Sequence, residues 1–339
     1  MKYSKKNNEL IDLIFERQYY TNHGPELQKL ENDLETSANN YNYLGLSNYT
    51  ISFLIAILAI NNEGKILIPS ILDAEIKQAV DFKKLNYRIC DVNSKYGLIN
   101  INYDQLEDIE TIIINNTLGF SLNLEEIVKK ISPKVNLIIL SKYGFGIDTK
   151  PLLNSNILIC EIFDCKFYKN YDQSYGSIIR INNSKIAERI RNIRSSYGSR
   201  EKVNIPYTGN GRMSEIQAGL INIALIDFKE EQLNSKHQYN LLMDFFKTNK
   251  KIEVIEFINN GHVESLYNNF IFKVIKYTNE FENIMMKYEE FISPISKLDI
   301  VADDKDINAI DFIKNKYVLN IDKFLSKKHI KKFINDFSL

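Results

Sequence analysis

Lys169 closes the segment Phe163-Asp164-Cys165-Lys166-Phe167-Tyr168-Lys169. A lysine supplies a primary amine that can form an imine with a carbonyl and then move protons, although a lone lysine among 43 basic residues is by itself usually surface charge. A second kind of chemistry is written in Ser47-Asn48-Tyr49-Thr50, which leads directly into the apolar run Ile51 to Ile60. Hydroxyl and amide side chains at a helix start, beside free backbone N–H groups and the positive end of the helix dipole, suit an anion such as a phosphate. The third segment is Gly209-Asn210-Gly211-Arg212-Met213-Ser214-Glu215-Ile216-Gln217-Ala218-Gly219. Ser214 there predicts a helix cap with Gln217 as its reciprocal partner, and Met213, Ile216 and Leu220 predict packing.

Other reactive side chains form no pattern. His23, His237, His262 and His329 are scattered without metal-ligand spacing and read as surface or turn residues. Cys90, Cys160 and Cys165 lack CxxC spacing, which argues against structural zinc or a disulfide framework and for a reducing cytoplasm. Arg191 and Arg194 share a helix that could meet phosphates, but solvated charge is the plainer reading. Glu125-Glu126 and Asp303-Asp304 read as helix-start and loop charges.

Composition narrows the functional classes. The 43 basic and 43 acidic residues cancel, so no net field favours nucleic acid or an anionic membrane. The polar, basic first twenty residues lack the apolar core of a signal peptide. Ile51 to Ile60 is roughly half the ~20 residues a membrane span needs, so it predicts a buried helix.

The elements that must position these segments alternate. Helices are predicted over Thr50–Ile60, Asp73–Phe82, Leu124–Ile131 and Ser184–Ser195. Short β-branched strands are predicted over Lys65–Pro69, Tyr87–Val92, Thr111–Asn115, Val135–Leu140, Ile157–Ile162 and Ser177–Ile181. This order predicts an α/β fold with a mostly parallel sheet of about seven strands covered on both faces. A long helix from Ser214 towards Lys250 carries an apolar face at Ile216, Leu220, Ile223, Leu225 and Phe228. Strands over Lys251–Phe257 and Asn269–Ile275 and a closing helix over Ser326–Phe337 predict a smaller α+β unit. The expected division is 1–235 and 236–339.

Together with Thr21-Asn22-His23-Gly24-Pro25, these segments resemble the DegT/StrS sugar aminotransferases, from about residue 17 to 228. The resemblance implies a fold-type-I large domain, a dimer, pyridoxal phosphate as cofactor, and amino transfer to a keto-sugar in nucleotide-sugar or surface-polysaccharide biosynthesis. Carried over position by position, it makes Lys169 the Schiff-base lysine, followed by Gly176-Ser177 where the family has a Gly pair. Asn48, Tyr49 and Thr50 fall on its phosphate cup, and Asn210 on a residue that reaches a neighbouring subunit's site.

At other positions the chain departs from the family. Leu137 to Gly146 lies where the family writes its acidic strand end, which puts Leu140 in place of the aspartate that holds the pyridine nitrogen protonated. Tyr143 replaces a Gln or His. Asp73 stands where an aromatic covers the cofactor, and Asp164 where a serine binds phosphate. An aspartate against a phosphate repels by several kcal/mol at an effective dielectric of ~20. Two readings stay open: an enzyme with the family's activity, or a non-catalytic homologue that binds a sugar nucleotide or pairs with an active aminotransferase.

Overall fold

The computed structural model describes residues 2–37, 41–120, 122–142, 156–165, 176–195, 202–205, 207–249, 252–256, 267, 269–276, 279–297, 300–301, 306–321 and 327–337. Strands are β1 (Asn42–Leu46), β2 (Lys65–Pro69), β3 (Leu72–Asp73), β4 (Tyr87–Cys90), β5 (Ile109–Asn115), β6 (Asn136–Ser141), β7 (Ile159–Asp164), β8 (Ser177–Ile181), β9 (Ile252–Val254), β10 (Asn269–Val274), β11 (Ile292–Pro294), β12 (Ile300–Val301) and β13 (Lys316–Asn320). Helices are α1 (Lys2–Arg17), α2 (Pro25–Ser37), α3 (Tyr49–Ile60), α4 (Ala74–Phe82), α5 (Leu124–Lys130), α6 (Ser184–Ser195), α7 (Glu215–Phe246), α8 (Asn279–Lys287), α9 (Ile307–Ile313) and α10 (Lys327–Phe337).

A seven-stranded sheet in the order β1-β8-β7-β6-β5-β2-β4 forms the centre. β4, β2, β5, β6 and β7 run parallel, while β8 is antiparallel to both β7 and β1. Two reversals return β1 to the direction of the parallel strands. The segments that follow β1, β2, β5, β6 and β7 therefore all emerge at one carboxyl edge, where ligands of open α/β sheets bind. Six of the seven strands are the ones expected from alternation, and the fold is the α/β, fold-type-I arrangement.

The apolar helix α3 is the element behind the site. Its Asn48 cap accepts from the Ile51 N–H at 2.8 Å, and Asn61 ends it in the left-handed region at φ 58°. Between the caps eight of the twelve side chains are aliphatic, and the run has no charged residue to show water. It packs between the sheet and helices α4 and α6, within a cluster that includes Phe53, Ile68, Leu140, Ile162 and Ile190.

Past α7, the antiparallel sheet β11-β13-β10-β9 covers an aromatic core of Phe246, Phe270, Phe272, Phe333 and Phe337. A separate cluster joins Ile71, Leu118 and Phe120 to Ile271, Phe312 and Val318, and β12 pairs with β3. The two sheets are thereby fastened near the carboxyl edge of the larger one.

Some elements were not legible beforehand. α1 falls within the polar first twenty residues, and α2 and β1 in a stretch for which no element is expected. Among its described side chains α1 buries only Leu10 and Ile14, α2 buries Leu27 and Leu30 among charges, and β1 is the short Asn-Tyr-Leu-Gly-Leu. α8, α9, β11 and β13 were likewise not anticipated. Expected boundaries moved inward where a cap intervenes: Asp73 precedes α4 rather than opening it, and Ile131 leaves α5 in an extended conformation.

Candidate functional site

Sequence segments far apart clasp one another at the carboxyl edge. Leu46 forms a β-bridge with Arg212, Thr21 bridges Ser214, and the Ser47 N–H donates to the Gly211 carbonyl at 2.9 Å. Ser214 and Gln217 form the reciprocal capping box of α7, and the same Gln217 Nε2 donates to the Ser47 carbonyl at 3.0 Å. Glu215 acts at a different helix. Its carboxylate accepts from Glu26 N at 2.7 Å and Leu27 N at 3.4 Å, closing the first turn of α2 with a negative charge.

Gly176 belongs to this clasp. At φ +133° it adopts a conformation L residues avoid, and an added Cβ would sit 2.9 Å from the Leu46 carbonyl oxygen and 2.7 Å from Met213 Cε.

Beneath the clasp lies a buried polar knot. Arg194 Nη1 donates to Glu31 Oε1 at 2.6 Å and to the Gly45 carbonyl at 2.7 Å, while Glu31 Oε1 also accepts from Gly45 N at 2.9 Å. His23 Nε2 lies 2.9 Å from Glu31 Oε2. Burial alone would raise the Glu31 carboxyl, but the Arg194 guanidinium and His23 outweigh it and hold its pKa at about 2. The expectation of solvated charge fails for Arg194, which is only 4% exposed. It fails because a carboxylate on α2, a helix invisible in the sequence, comes to meet it.

The polar residues of the edge itself gather on α3, α4, β6 and β7. Thr50 Oγ1 donates to Glu75 Oε2 at 2.6 Å, and Lys142 Nζ lies 2.9 Å from Glu75 Oε1 and 3.7 Å from Asp73 Oδ1. Tyr49 is buried, its hydroxyl 3.5 Å from Asp73 Oδ2 and its ring centroid 5.9 Å from Lys142 Nζ. Burial first, then the charges of Asp73, Asp164 and Glu75, push the Tyr49 phenol well above its usual range, so it stays protonated. Asp164, also buried, ends β7 opposite Ser177. Leu140 is fully buried in the apolar cluster that also holds Tyr49.

The structure thus brings Asn48, Tyr49, Thr50, Asp73, Leu140 and Asp164 to one edge. Asn210 lies on the exposed rim of the clasp. Lys169 and Tyr143 fall outside the described residues. Sequence reasoning missed Lys142, Glu75, Glu31 and Glu215. Lys142 and Glu75 carried a signal, since one is a charge directly beside Tyr143 and the other a charge two residues after Asp73. Among the described residues no group of His, Cys, Asp and Glu has the arrangement of a metal site, and the Cys165 thiol is pushed far up by burial and by Asp164.

These side chains do not fit pyridoxal phosphate in the arrangement the family resemblance implies. Leu140 offers no acceptor for a pyridinium N–H. Asp164 puts a buried carboxylate where a doubly charged phosphate would need a donor, and Asp73 is tied to Lys142 rather than presenting a ring face. The Lys142 amine is engaged by the carboxylates of Glu75 and Asp73 rather than free to meet a carbonyl.

The sequence profile of the DegT/DnrJ/EryC1/StrS aminotransferase family matches residues 2–291. Among solved structures, the fold is similar to that of DesV from S. venezuelae in complex with a ketimine intermediate, with TM-score 0.79, 12% identity, and 99% of this chain and 94% of that one covered. It is also similar to an E. coli GDP-4-keto-6-deoxy-D-mannose-3-dehydratase with bound hydrated PLP, with TM-score 0.78, 15% identity, and 99% and 97% covered. A DegT DnrJ EryC1 StrS aminotransferase from Brucella abortus matches with TM-score 0.78 at 14% identity, covering 99% and 95%. A search of curated proteins gives no match.

Proposed function

The chain belongs to the DegT/DnrJ/EryC1/StrS aminotransferase family, and from that premise we propose that it serves nucleotide-sugar metabolism as a non-catalytic member. On this reading it binds a sugar nucleotide and associates with a second copy of itself or with an active aminotransferase. The observation that carries the proposal is the contrast between the clasp and the edge beneath it. The clasp keeps what shapes the scaffold: the Asn48 cap, Gly176 in its left-handed conformation, and the Ser214–Gln217 box that reaches Ser47. The edge has lost what would hold and tune the cofactor, with Leu140 apolar and Asp164 anionic. An unselected chain would lose both alike.

The family's own chemistry is the second reading, favoured by the same retained clasp. Pyridoxal phosphate, when bound, supplies an electron sink for a carbanion next to nitrogen. Lys169 would then offer the amine, Asn48 and Thr50 would hold the anion, and Asn210 would extend towards a second subunit.

The test is to incubate the purified chain with pyridoxal phosphate, treat it with borohydride and map adducts by peptide mass. The non-catalytic reading expects no yellow colour and no adduct at Lys169. A stoichiometric adduct there would overturn the reading that the chain works without the cofactor and favour the second. Light scattering, alone and with a candidate aminotransferase, tests the association, and calorimetry with nucleotide sugars tests binding.

A cytoplasmic setting fits these substrates, and no described helix is long and apolar enough to cross a membrane. We also retain the division into 1–235 and 236–339, which would fall within α7.

A further inference from the structure

Lys142 closes a loop of contacts through three elements. Its Nζ meets Glu75 Oε1 at 2.9 Å, Glu75 Oε2 accepts from Thr50 Oγ1 at 2.6 Å, and Thr50 is covalently next to Tyr49. The Tyr49 hydroxyl is 3.5 Å from Asp73 Oδ2, and Asp73 Oδ1 is 3.7 Å from Lys142 Nζ again. The end of β6, the start of α4 and the start of α3 are therefore joined in a ring centred on one cation. Its backbone position is fixed from behind, because Ser141 accepts from Asn116 Nδ2 at 2.9 Å and donates to Glu161 Oε1 at 2.7 Å. Glu161 in turn is ion-paired with buried Arg180. The Lys142 side chain is 11% exposed and that of Asp73 8%, so the contact is largely shielded from water.

We propose that Lys142 is a built-in counter-ion that replaces a bound cofactor at this edge, tying β6, α3 and α4 together with the chain's own charge. This deepens, and rests on, the reading that the chain works without pyridoxal phosphate. In a cofactor enzyme the edge is completed by a ligand that can leave. Here three carboxylates, Asp73, Glu75 and Asp164, lie around a buried phenol, and the ammonium of Lys142 balances the two it contacts. The edge is completed when the protein folds, and an incoming phosphate would have to displace an ion pair while facing Asp164.

The inference makes a prediction that mere packing by a long side chain does not. If Lys142 acts through its charge, Glu75→Gln should have opposite consequences in two backgrounds. In the wild-type chain Glu75→Gln breaks the pair and lowers the thermal midpoint. In Lys142→Met, where Glu75 and Asp73 have both lost the ammonium they share, the same Glu75→Gln should raise it. Lys142→Arg should keep most of the wild-type midpoint.

If Lys142→Met gives no folded protein, the comparison moves to an Asp73→Asn/Glu75→Gln background. There, adding Lys142→Met should cost little, since both carboxylates it contacts are neutral. An equal effect of Glu75→Gln with and without Lys142, or a large loss from Lys142→Met in the neutralised background, overturns the inference. Either result leaves the borohydride outcome untouched. A Lys169 adduct on the wild-type chain would instead sink the reading beneath it, so the two failures are separable.

Discussion

Replacing Glu31 by Gln probes the knot that fixes Gly45, and through it the strand leading to Ser47 and Asn48. The exchange keeps shape and leaves an oxygen for Arg194 and the Gly45 N–H, so what it removes is charge. The Glu31 carboxyl lies at about 2 instead of the usual 4.5. At roughly 1.36 kcal/mol per pH unit this difference corresponds to about 3 kcal/mol of stability. A depressed carboxyl contributes fully above the unfolded-state value and loses its contribution as pH falls through the folded-state value. The wild-type advantage over Glu31→Gln is therefore expected at about 3 kcal/mol near neutral pH, shrinking progressively as pH falls from 4.5 to about 2. The chain has no tryptophan, so urea unfolding followed by far-ultraviolet circular dichroism is the suitable assay. Taking the difference between the two proteins at each pH cancels the titration of every other group. A gap that stays constant across this range would refute the electrostatic account, because loss of packing or of a neutral hydrogen bond carries no such pH dependence.

Ser214→Ala removes one half of the capping box and should cost about 1 kcal/mol in the same assay. Gly176→Ala forces a Cβ against the Leu46 carbonyl at φ +133°. It should cost roughly 1–3 kcal/mol and be visible as faster amide exchange in β1 and β8. Lys316 is buried, donates to the Ser94 and Asp311 carbonyls, and has its pKa lowered by burial to about 8. The unfolded chain therefore binds more protons than the folded one from about pH 8 up to 10.5. Wild-type stability should rise relative to Lys316→Met across that interval in pH-resolved urea titrations.

Hydrophobic runs made the central sheet and α3 readable, because Ile-rich strands and a largely apolar helix without charges leave few alternatives. The capping box could also be read in advance, since Ser214 and Gln217 interact within one turn. The same reasoning was blind to α2, whose inward face carries Glu31 and Glu26 among few apolar residues. Those carboxylates are buried with partners that arrive from elsewhere in the chain: Arg17 and Asn222 meet Glu26, and Arg194 and His23 meet Glu31. A pairing across 163 positions leaves no local trace. The edge was half legible. Its substituted positions could be named from spacing, but the ring through Lys142 could not, because it depends on the end of β6 lying beside the start of α4.

The carboxylate of Glu215 closes the first turn of α2 across 189 residues of chain. A ribosome releases Glu26 and Leu27 long before it reaches the residue that will accept their amide hydrogens. During that interval the start of α2 must be solvated by water, and β1 must wait for β8 as its neighbour. Vectorial folding therefore cannot finish this domain from its amino-terminal side. Nascent chains halted before position 215 should leave the leading helices open to protease, and lengthening the chain past α7 should close them in one step.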